Sequence, residues 1–190
     1  MISFPVQAVA LILLIFFSYT DDGVTKKAKG LFWFVLASLS AIAVYKVFGQ
    51  YQTWANNELG QFLLPPHQDS YFLFFVFIKL LSPFLIAVAV AFLLIPILGV
   101  INKRFEGKFF EVAEPYLAAT TIILLGYPAL LFYFLLIILA YLAWHVFSYI
   151  KSHEQARLSL YHMWVPIGLI TLMVSKYWLV HTPLWLLLKI

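Results

Sequence analysis

One stretch of this chain places two carboxylates directly before an apolar run: Phe109-Phe110-Glu111-Val112-Ala113-Glu114-Pro115-Tyr116-Leu117-Ala118-Ala119. Pro115 follows Glu114 at once, and proline is favoured in the first turn of a helix because its fixed φ suits that position. The stretch therefore predicts a helix that begins at Glu114 and holds an acid in its first turn. Gly126-Tyr127-Pro128 is expected to end this helix after Leu125.

One other place in the sequence sets two carboxylates beside a long apolar segment, and that place is Asp21-Asp22. This pair follows the first apolar segment, whereas Glu111 and Glu114 precede a later one. Groups far apart in sequence can lie close together in a helical bundle. The functional question is therefore whether the two acidic places meet in space.

The composition indicates an integral membrane protein. Of its 190 residues, 64% are hydrophobic and 11% are charged, whereas soluble domains carry roughly 25% charged residues. We expect one polytopic membrane domain over residues 1–190, surrounded by membrane lipid. The sequence contains no cysteine, which excludes disulfides and thiol chemistry. The small net charge of +4 comes from cations in short loops, so no nucleic-acid partner is expected.

Apolar segments predict about six transmembrane helices, since about twenty apolar residues cross a bilayer. The segments cover 4–20, 31–48, 83–101, 114–125, 129–150 and 160–179, and the fourth is short. Interfacial helices are expected in the mixed segments 49–70 and 181–190, and a boundary helix over 71–82. The predicted fold class is an all-α membrane protein with transmembrane and interfacial helices.

Lysine and arginine near the segment ends predict the orientation in the membrane. Three loops that alternation places on one side contain Lys26, Lys27, Lys29, Lys103, Arg104, Lys108, Lys151 and Arg157. We expect this side to face the cytoplasm and both termini to lie outside it, in an inner (plasma) membrane. Asp21, Asp22, Glu111 and Glu114 then all fall at the cytoplasmic membrane surface.

The order of these features resembles the type IV prepilin peptidases and the archaeal preflagellin peptidases, which are six-span aspartyl proteases. The first acid of that family follows the first span in a pattern like Asp-Leu-Arg-Thr-Arg-Arg-Ile-Pro-Asn. The same place here reads Asp22-Gly23-Val24-Thr25-Lys26-Lys27-Ala28-Lys29-Gly30. The acid, the threonine and two cations are in register with the family pattern, whereas the Ile-Pro-Asn ending is not.

The second acid of the family lies in Gly-x-Gly-Asp, ahead of a short Ala-rich helix, a Gly-aromatic-Pro turn and a longer span. Here Glu114 takes the place of that Asp, and Leu117-Ala118-Ala119 and Gly126-Tyr127-Pro128 follow at the family's spacing. The residues before Glu114, Val112 and Ala113 among them, are not glycines. The later stretch from Arg157 to Gly168 is similar to the family's entry to its final span.

The resemblance implies an aspartyl endopeptidase that removes basic leader peptides from pilin-like proteins at the cytoplasmic membrane face. In such proteases one ionised acid activates water and one protonated acid polarises the carbonyl, because two adjacent acids cannot both ionise. Asp22 and Glu114 are the predicted catalytic pair, with Asp21 and Glu111 in reserve. Glu106, together with Glu111 and Glu114, would attract the basic leader of a prepilin-like substrate.

Two departures from the family pattern leave other functions open. Glutamate has one methylene more than aspartate, which moves the carboxylate by roughly 1.5 Å, and a misplacement of about 1 Å can lower a rate about a hundredfold. Side chains in place of glycine also fill space where a substrate backbone would pass. The alternatives are a catalytically inactive scaffold of a pilus or secretion system, and a small transporter or channel subunit.

Simpler roles explain the same residues. Acids at helix N-termini interact favourably with the helix dipole, which would account for Glu111 and Glu114. Asp21-Asp22 before a glycine is also typical of a turn. His145, His162 and Glu154 match no standard metal-site spacing, so neither a metal nor a cofactor is predicted.

Overall fold

The structure is a computed structural model that describes residues 3–19, 24–105, 110–152 and 161–188. Within these ranges the chain forms α-helices and no strand, which confirms the all-α fold class. The helices are α1 (Phe4–Tyr19), α2 (Val24–Ala55), α3 (Asp69–Phe75), α4 (Ser82–Arg104), α5 (Glu114–Leu125), α6 (Ala129–Ser152), α7 (Trp164–Tyr177) and α8 (Pro183–Leu188). Short 3-10 helices cover Gly60–Leu63 and Leu179–His181, and a π-helix covers Val76–Leu81.

Three helical runs in the described ranges are long and apolar enough to cross a membrane: Lys27–Ala55, Ser70–Arg104 and Ala129–Ile150. The helices α1, α5 and α7 have 16, 12 and 14 residues. At about 1.5 Å per residue they are shorter than a hydrocarbon core of about 30 Å. Helix length therefore supports three of the six predicted crossings.

Two predicted helix boundaries differ from the observed ones. The second span was expected to end at residue 48, but α2 continues through Gly49 to Ala55, and the Thr53 hydroxyl donates to the Gly49 carbonyl (2.9 Å). A separate boundary helix over 71–82 was also expected, whereas one helical run covers Ser70–Arg104. Pro83 does not interrupt this run, because it lies in the first turn of α4, directly after the π-helix, where a missing N–H is tolerated.

The short helix α5 lies at the centre of the bundle and contacts α1, α2, α4, α6 and α7. Every residue of α5 except Tyr116 is buried. A helix that is apolar on all its faces is stable only when other elements cover it, and here five helices do so. α5 ends at Gly126, whose φ of 69° is a conformation that favours glycine.

α4 runs antiparallel to α5. Near the end of α4, the Asn102 side chain forms two hydrogen bonds with the backbone of Phe110, at 2.7 and 3.0 Å. At the other end, the Tyr127 amide just after α5 donates to the carbonyl of Pro83 at the start of α4 (3.2 Å). The last turn of α4 and the first turn of α5 therefore share one end of the bundle.

Contacts of α1 and α2 with α5 complete this arrangement. The Gln7 amide, near the start of α1, donates to the Leu124 carbonyl at the end of α5 (2.7 Å). The Phe32 ring, in the first part of α2, meets the Tyr116 ring near the start of α5 at a centroid distance of 6.2 Å. The end of α1 and the start of α2 therefore lie at the bundle end where α5 begins.

α5 and α7 pack tightly where Gly168 lies against Thr121. A Cβ atom at residue 168 would clash with Thr121 Cγ2 and would also touch the Tyr133 ring. Small residues at a helix crossing allow two membrane helices to pack backbone to backbone. Gly168 is therefore required by packing rather than by its backbone conformation.

We predict that Gly168→Ala lowers the free energy of unfolding by about 1–3 kcal/mol, the usual effect of overpacking a core. Detergent-solubilised protein unfolded with SDS provides the measurement. Thr121→Ser removes Cγ2 but keeps the hydroxyl that donates to the Leu117 carbonyl (2.9 Å), so the double variant should regain most of the loss. Gly99→Ala is the control, because a Cβ atom there meets nothing within 4 Å. Equal stability of Gly168→Ala and Gly99→Ala would contradict the close packing.

Candidate functional site

Glu114, the first residue of α5, is completely buried, with 0% of its surface exposed. Its Oε1 atom accepts a hydrogen bond from the backbone amide of Glu111 (3.0 Å). Its Oε2 atom accepts one from the indole Nε1–H of Trp164 (2.9 Å). A carboxylate is costly to remove from water unless it is hydrogen-bonded. These two N–H donors therefore explain how an acid can occupy the centre of an apolar bundle.

The spacing of Glu111 and Glu114 creates the first of these hydrogen bonds. The Glu114 amide donates to the Glu111 carbonyl (3.1 Å), which forms a turn just before α5. The Glu114 side chain then returns to the Glu111 amide, as the glutamate of a capping box does. A negative charge at this position also interacts favourably with the dipole of α5. The local sequence thus favours a helix start at Glu114.

Trp164 is itself held by a hydrogen bond from a third helix. The Tyr133 hydroxyl of α6 donates to the Trp164 carbonyl (2.9 Å), and Tyr133 and Trp164 are 0% and 4% exposed. Glu114 and Trp164 therefore connect α5, α6 and α7 through polar contacts inside an apolar core. We refer to Glu111, Glu114, Tyr133, Tyr161 and Trp164 as the Glu114 cluster.

Tyr161 brings a phenol to the same end of the bundle, just before α7. Its side chain is 6% exposed. Burial, together with the negative charges of Glu111 and Glu114, raises the pKa of the Tyr161 phenol above its ordinary value. A phenol is protonated at neutral pH even without this shift, so the hydroxyl can donate a hydrogen bond.

The structure describes two of the four predicted acids. Glu114 is buried, whereas the side chain of Glu111 is exposed. Asp21 and Asp22 lie outside the described residues, as does Glu106. The described ends of α1 and α2 that flank the aspartates lie at the bundle end where Glu114 lies. The pairing of Asp22 with Glu114 stays a prediction.

The two hydrogen bonds of Glu114 stabilise the start of α5 and its contact with α7. A general base must come within about 2.6–3.2 Å of the proton that it takes, directly or through one water. Each oxygen of Glu114 already accepts an N–H donor, and neither the side chain nor the neighbouring Ala113 is exposed. Catalysis by this carboxylate would require the Trp164 indole to move away.

Trp164 and Tyr133 are the functional residues that the sequence did not reveal. A buried carboxylate needs N–H or O–H donors, but the chain contains 6 tryptophans and 11 tyrosines, and nothing in their spacing selects these two. Residues 157–168 resemble the stretch that leads into the family's final span, and Trp164 lies within them. The resemblance does not single out Trp164 itself. Only the packing of α7 against α5 identifies the donor.

Among the described residues, no group of three or more His, Asp or Glu side chains is arranged to hold a metal ion. His145 lies instead against the Tyr141 ring (6.2 Å between centroids), and His162 against the Tyr161 ring (4.9 Å). Comparison of the chain with family models, with curated proteins and with solved structures finds no match.

We predict that Trp164→Phe lowers the free energy of unfolding by about 1.5–3 kcal/mol, because it removes a hydrogen bond to a charged group. Trp178→Phe is the matched control: Trp178 is 69% exposed, and its replacement should change stability by no more than about 0.5 kcal/mol. Both values come from SDS unfolding in detergent.

A double-mutant cycle separates the hydrogen bond from the loss of ring volume. Glu114→Ala and Trp164→Phe should show a coupling energy of about 0.5–3 kcal/mol. Strictly additive effects of the two substitutions would be inconsistent with a direct contact between the carboxylate and the indole.

Proposed function

We propose that this chain is a non-catalytic membrane scaffold with the helix layout of a prepilin peptidase. The observation that carries the proposal is the complete burial of Glu114 with an N–H donor on each carboxylate oxygen. A catalytic acid at this position would have to reach both water and a scissile carbonyl. Here both oxygens hold the start of α5, one of them to α7.

The residue before Glu114 supports the same conclusion. Ala113 is 3% exposed, so its methyl group fills space beside the acid that a glycine would leave open. The longer side chain of glutamate also carries the carboxylate toward Trp164, where an aspartate would reach less far. Both departures from Gly-x-Gly-Asp thus favour packing over access for a substrate.

The proposed topology has six membrane helices, with α5 and its neighbours α1, α2, α4, α6 and α7 in an inner (plasma) membrane. The exposed cations Lys27, Lys29, Lys103 and Arg104 flank α2 and α4 at the bundle end where α5 begins. The preference of lysine and arginine for cytoplasmic loops supports placing this end in the cytoplasm and both termini outside. The three shorter helices would cross a locally thinner layer.

The proposed partner is a pilin-like protein with a basic leader followed by an apolar helix. Glu111 is exposed just before α5, and it would attract the leader while lipid accommodates the helix. The attraction is electrostatic and should weaken as salt is added.

A peptidase is the second candidate, with Asp22 and Glu114 as the catalytic pair. The observation that favours it is the shared position of the end of α1, the start of α2 and the start of α5. This candidate further requires that the Trp164 indole release the carboxylate when substrate binds.

Co-expression with a pilin-like protein that carries a basic leader distinguishes the two candidates. The scaffold proposal predicts that the wild-type chain leaves the leader attached, while an active prepilin peptidase removes it in a parallel culture. It also predicts that a photo-reactive group in the leader cross-links to the wild type, and less to Glu111→Gln. Leader removal that is lost in Asp22→Asn and in Glu114→Gln, but kept in the exposed control Glu58→Gln, would establish the peptidase and contradict the scaffold.

A further inference from the structure

A cavity of about 290 Å³ lies at the end of α5, opposite the Glu114 cluster. It is lined by parts of α1, the π-helix, α4, α7 and α8, and its polar lining consists of Gln7, Lys79, Tyr127, Ser175 and Lys176. We refer to it as the two-lysine cavity. Its volume far exceeds the roughly 10–15 Å³ that one water molecule needs. Within the described residues, the lining brings two cations together without a carboxylate.

Lys79 places a positive charge within a long apolar run. It is the only charged residue between Ser70 and Asn102, and it lies within the continuous helical run Ser70–Arg104 with its side chain exposed. A lysine in an apolar membrane segment is costly and frequently functional. It also lies in the π-helix Val76–Leu81, and π-helical turns are rare and concentrate at functional sites.

Lys176 reaches the same cavity from the last turn of α7. Its ammonium group lies 6.0 Å from the centroid of the Phe4 ring, a favourable contact for a cation. The dipole of α7 would by itself favour a lysine here. That dipole does not explain why Lys79 lines the same cavity, because Lys79 lies in a different helix almost a hundred residues earlier in the chain.

Two neutral polar side chains of the lining already form hydrogen bonds within the protein. The Gln7 amide donates to the Leu124 carbonyl (2.7 Å), and the Ser175 hydroxyl donates to the Leu172 carbonyl (2.9 Å). The two lysines are therefore the lining groups that offer a ligand a full positive charge. A ligand that matches them is an anion with several acceptor oxygens.

Aromatic residues place the cavity at the level of a membrane interface. Trp185 of α8 lines the cavity and stacks on Phe132 of α6 at a centroid distance of 6.2 Å. Tyr177 and Trp178, which follow Lys176, are 68% and 69% exposed. Tryptophan and tyrosine are enriched at the boundary between lipid and water. The headgroups of anionic lipids lie at this level.

We propose that the two-lysine cavity binds the phosphate of an anionic membrane phospholipid. The phosphate lies between Lys79 and Lys176, and the apolar walls formed by Leu80, Leu125 and Val180 receive the first carbons of the acyl chains. Basic pockets between membrane helices recognise anionic headgroups by this combination of charge and apolar surface. The site is independent of the scaffold function and of the Glu114 cluster, which lies about 16 Å away along α5.

The test uses the full chain, purified in a neutral detergent, and short-chain phosphatidylglycerol as the probe. Thermal unfolding and titration calorimetry should show tighter binding of phosphatidylglycerol than of phosphatidylcholine. Lys79→Gln/Lys176→Gln should weaken the apparent affinity for phosphatidylglycerol about thirtyfold, roughly a factor of five for each cation. Lys103→Gln/Arg104→Gln removes two exposed cations at the opposite end and should leave the affinity unchanged.

Further arms of the experiment identify the source of the phosphate and guard against misfolding. Inorganic phosphate that stabilises the wild type as strongly as phosphatidylglycerol would show a site for the free ion and overturn the lipid proposal. Unchanged phosphatidylglycerol affinity in Lys79→Gln/Lys176→Gln would also overturn it. Lys79→Arg/Lys176→Arg keeps both charges and should retain binding. Each single glutamine variant should lose about fivefold, which tests the site even where the double variant does not fold.

Discussion

A carboxylate that has no contact with water determines how the centre of this bundle is built. Glu114 can be enclosed only because each of its oxygens meets an N–H donor, one from its own first turn and one from Trp164. Tyr133 then fixes Trp164 from α6. Because the Glu114 carboxylate has these hydrogen bonds, α5 can be surrounded by five other helices. Gly168 allows α7 to pack close to α5, so that the Trp164 indole reaches the carboxylate.

The two ends of α5 have opposite chemistry. At its start a negative side chain is closed off by protein donors, whereas at its end Lys79 and Lys176 line a cavity. The same burial that stabilises the start of α5 keeps the Glu114 carboxylate away from solvent, and this observation supports the scaffold proposal. The scaffold proposal follows from the burial of Glu114 at the start of α5. The lipid proposal follows from the two-lysine cavity at the end of α5.

The sequence predicts α5 well because its limits are local. Pro115 marks its start and Gly126 its end, and the observed helix has the expected bounds 114–125. Local signals fail where a breaker is tolerated: Gly49 lies within α2, and the π-helix before Pro83 joins two predicted segments into one run. The candidate site depends on a contact between residues 50 positions apart, which no local pattern encodes. Asp22, predicted from the resemblance, stays a prediction.

Carbodiimide labelling of carboxylates in water tests the enclosure of Glu114 most directly. A water-soluble carbodiimide with glycine ethyl ester modifies carboxylates that solvent reaches, and mass spectrometry assigns each modified residue. In the folded protein, the exposed Glu58 and Glu111 should be modified while Glu114 is not, and all three should react after unfolding in SDS. Modification of Glu114 in the folded protein at the rate of Glu111 would show that water reaches this carboxylate, and would contradict its structural role.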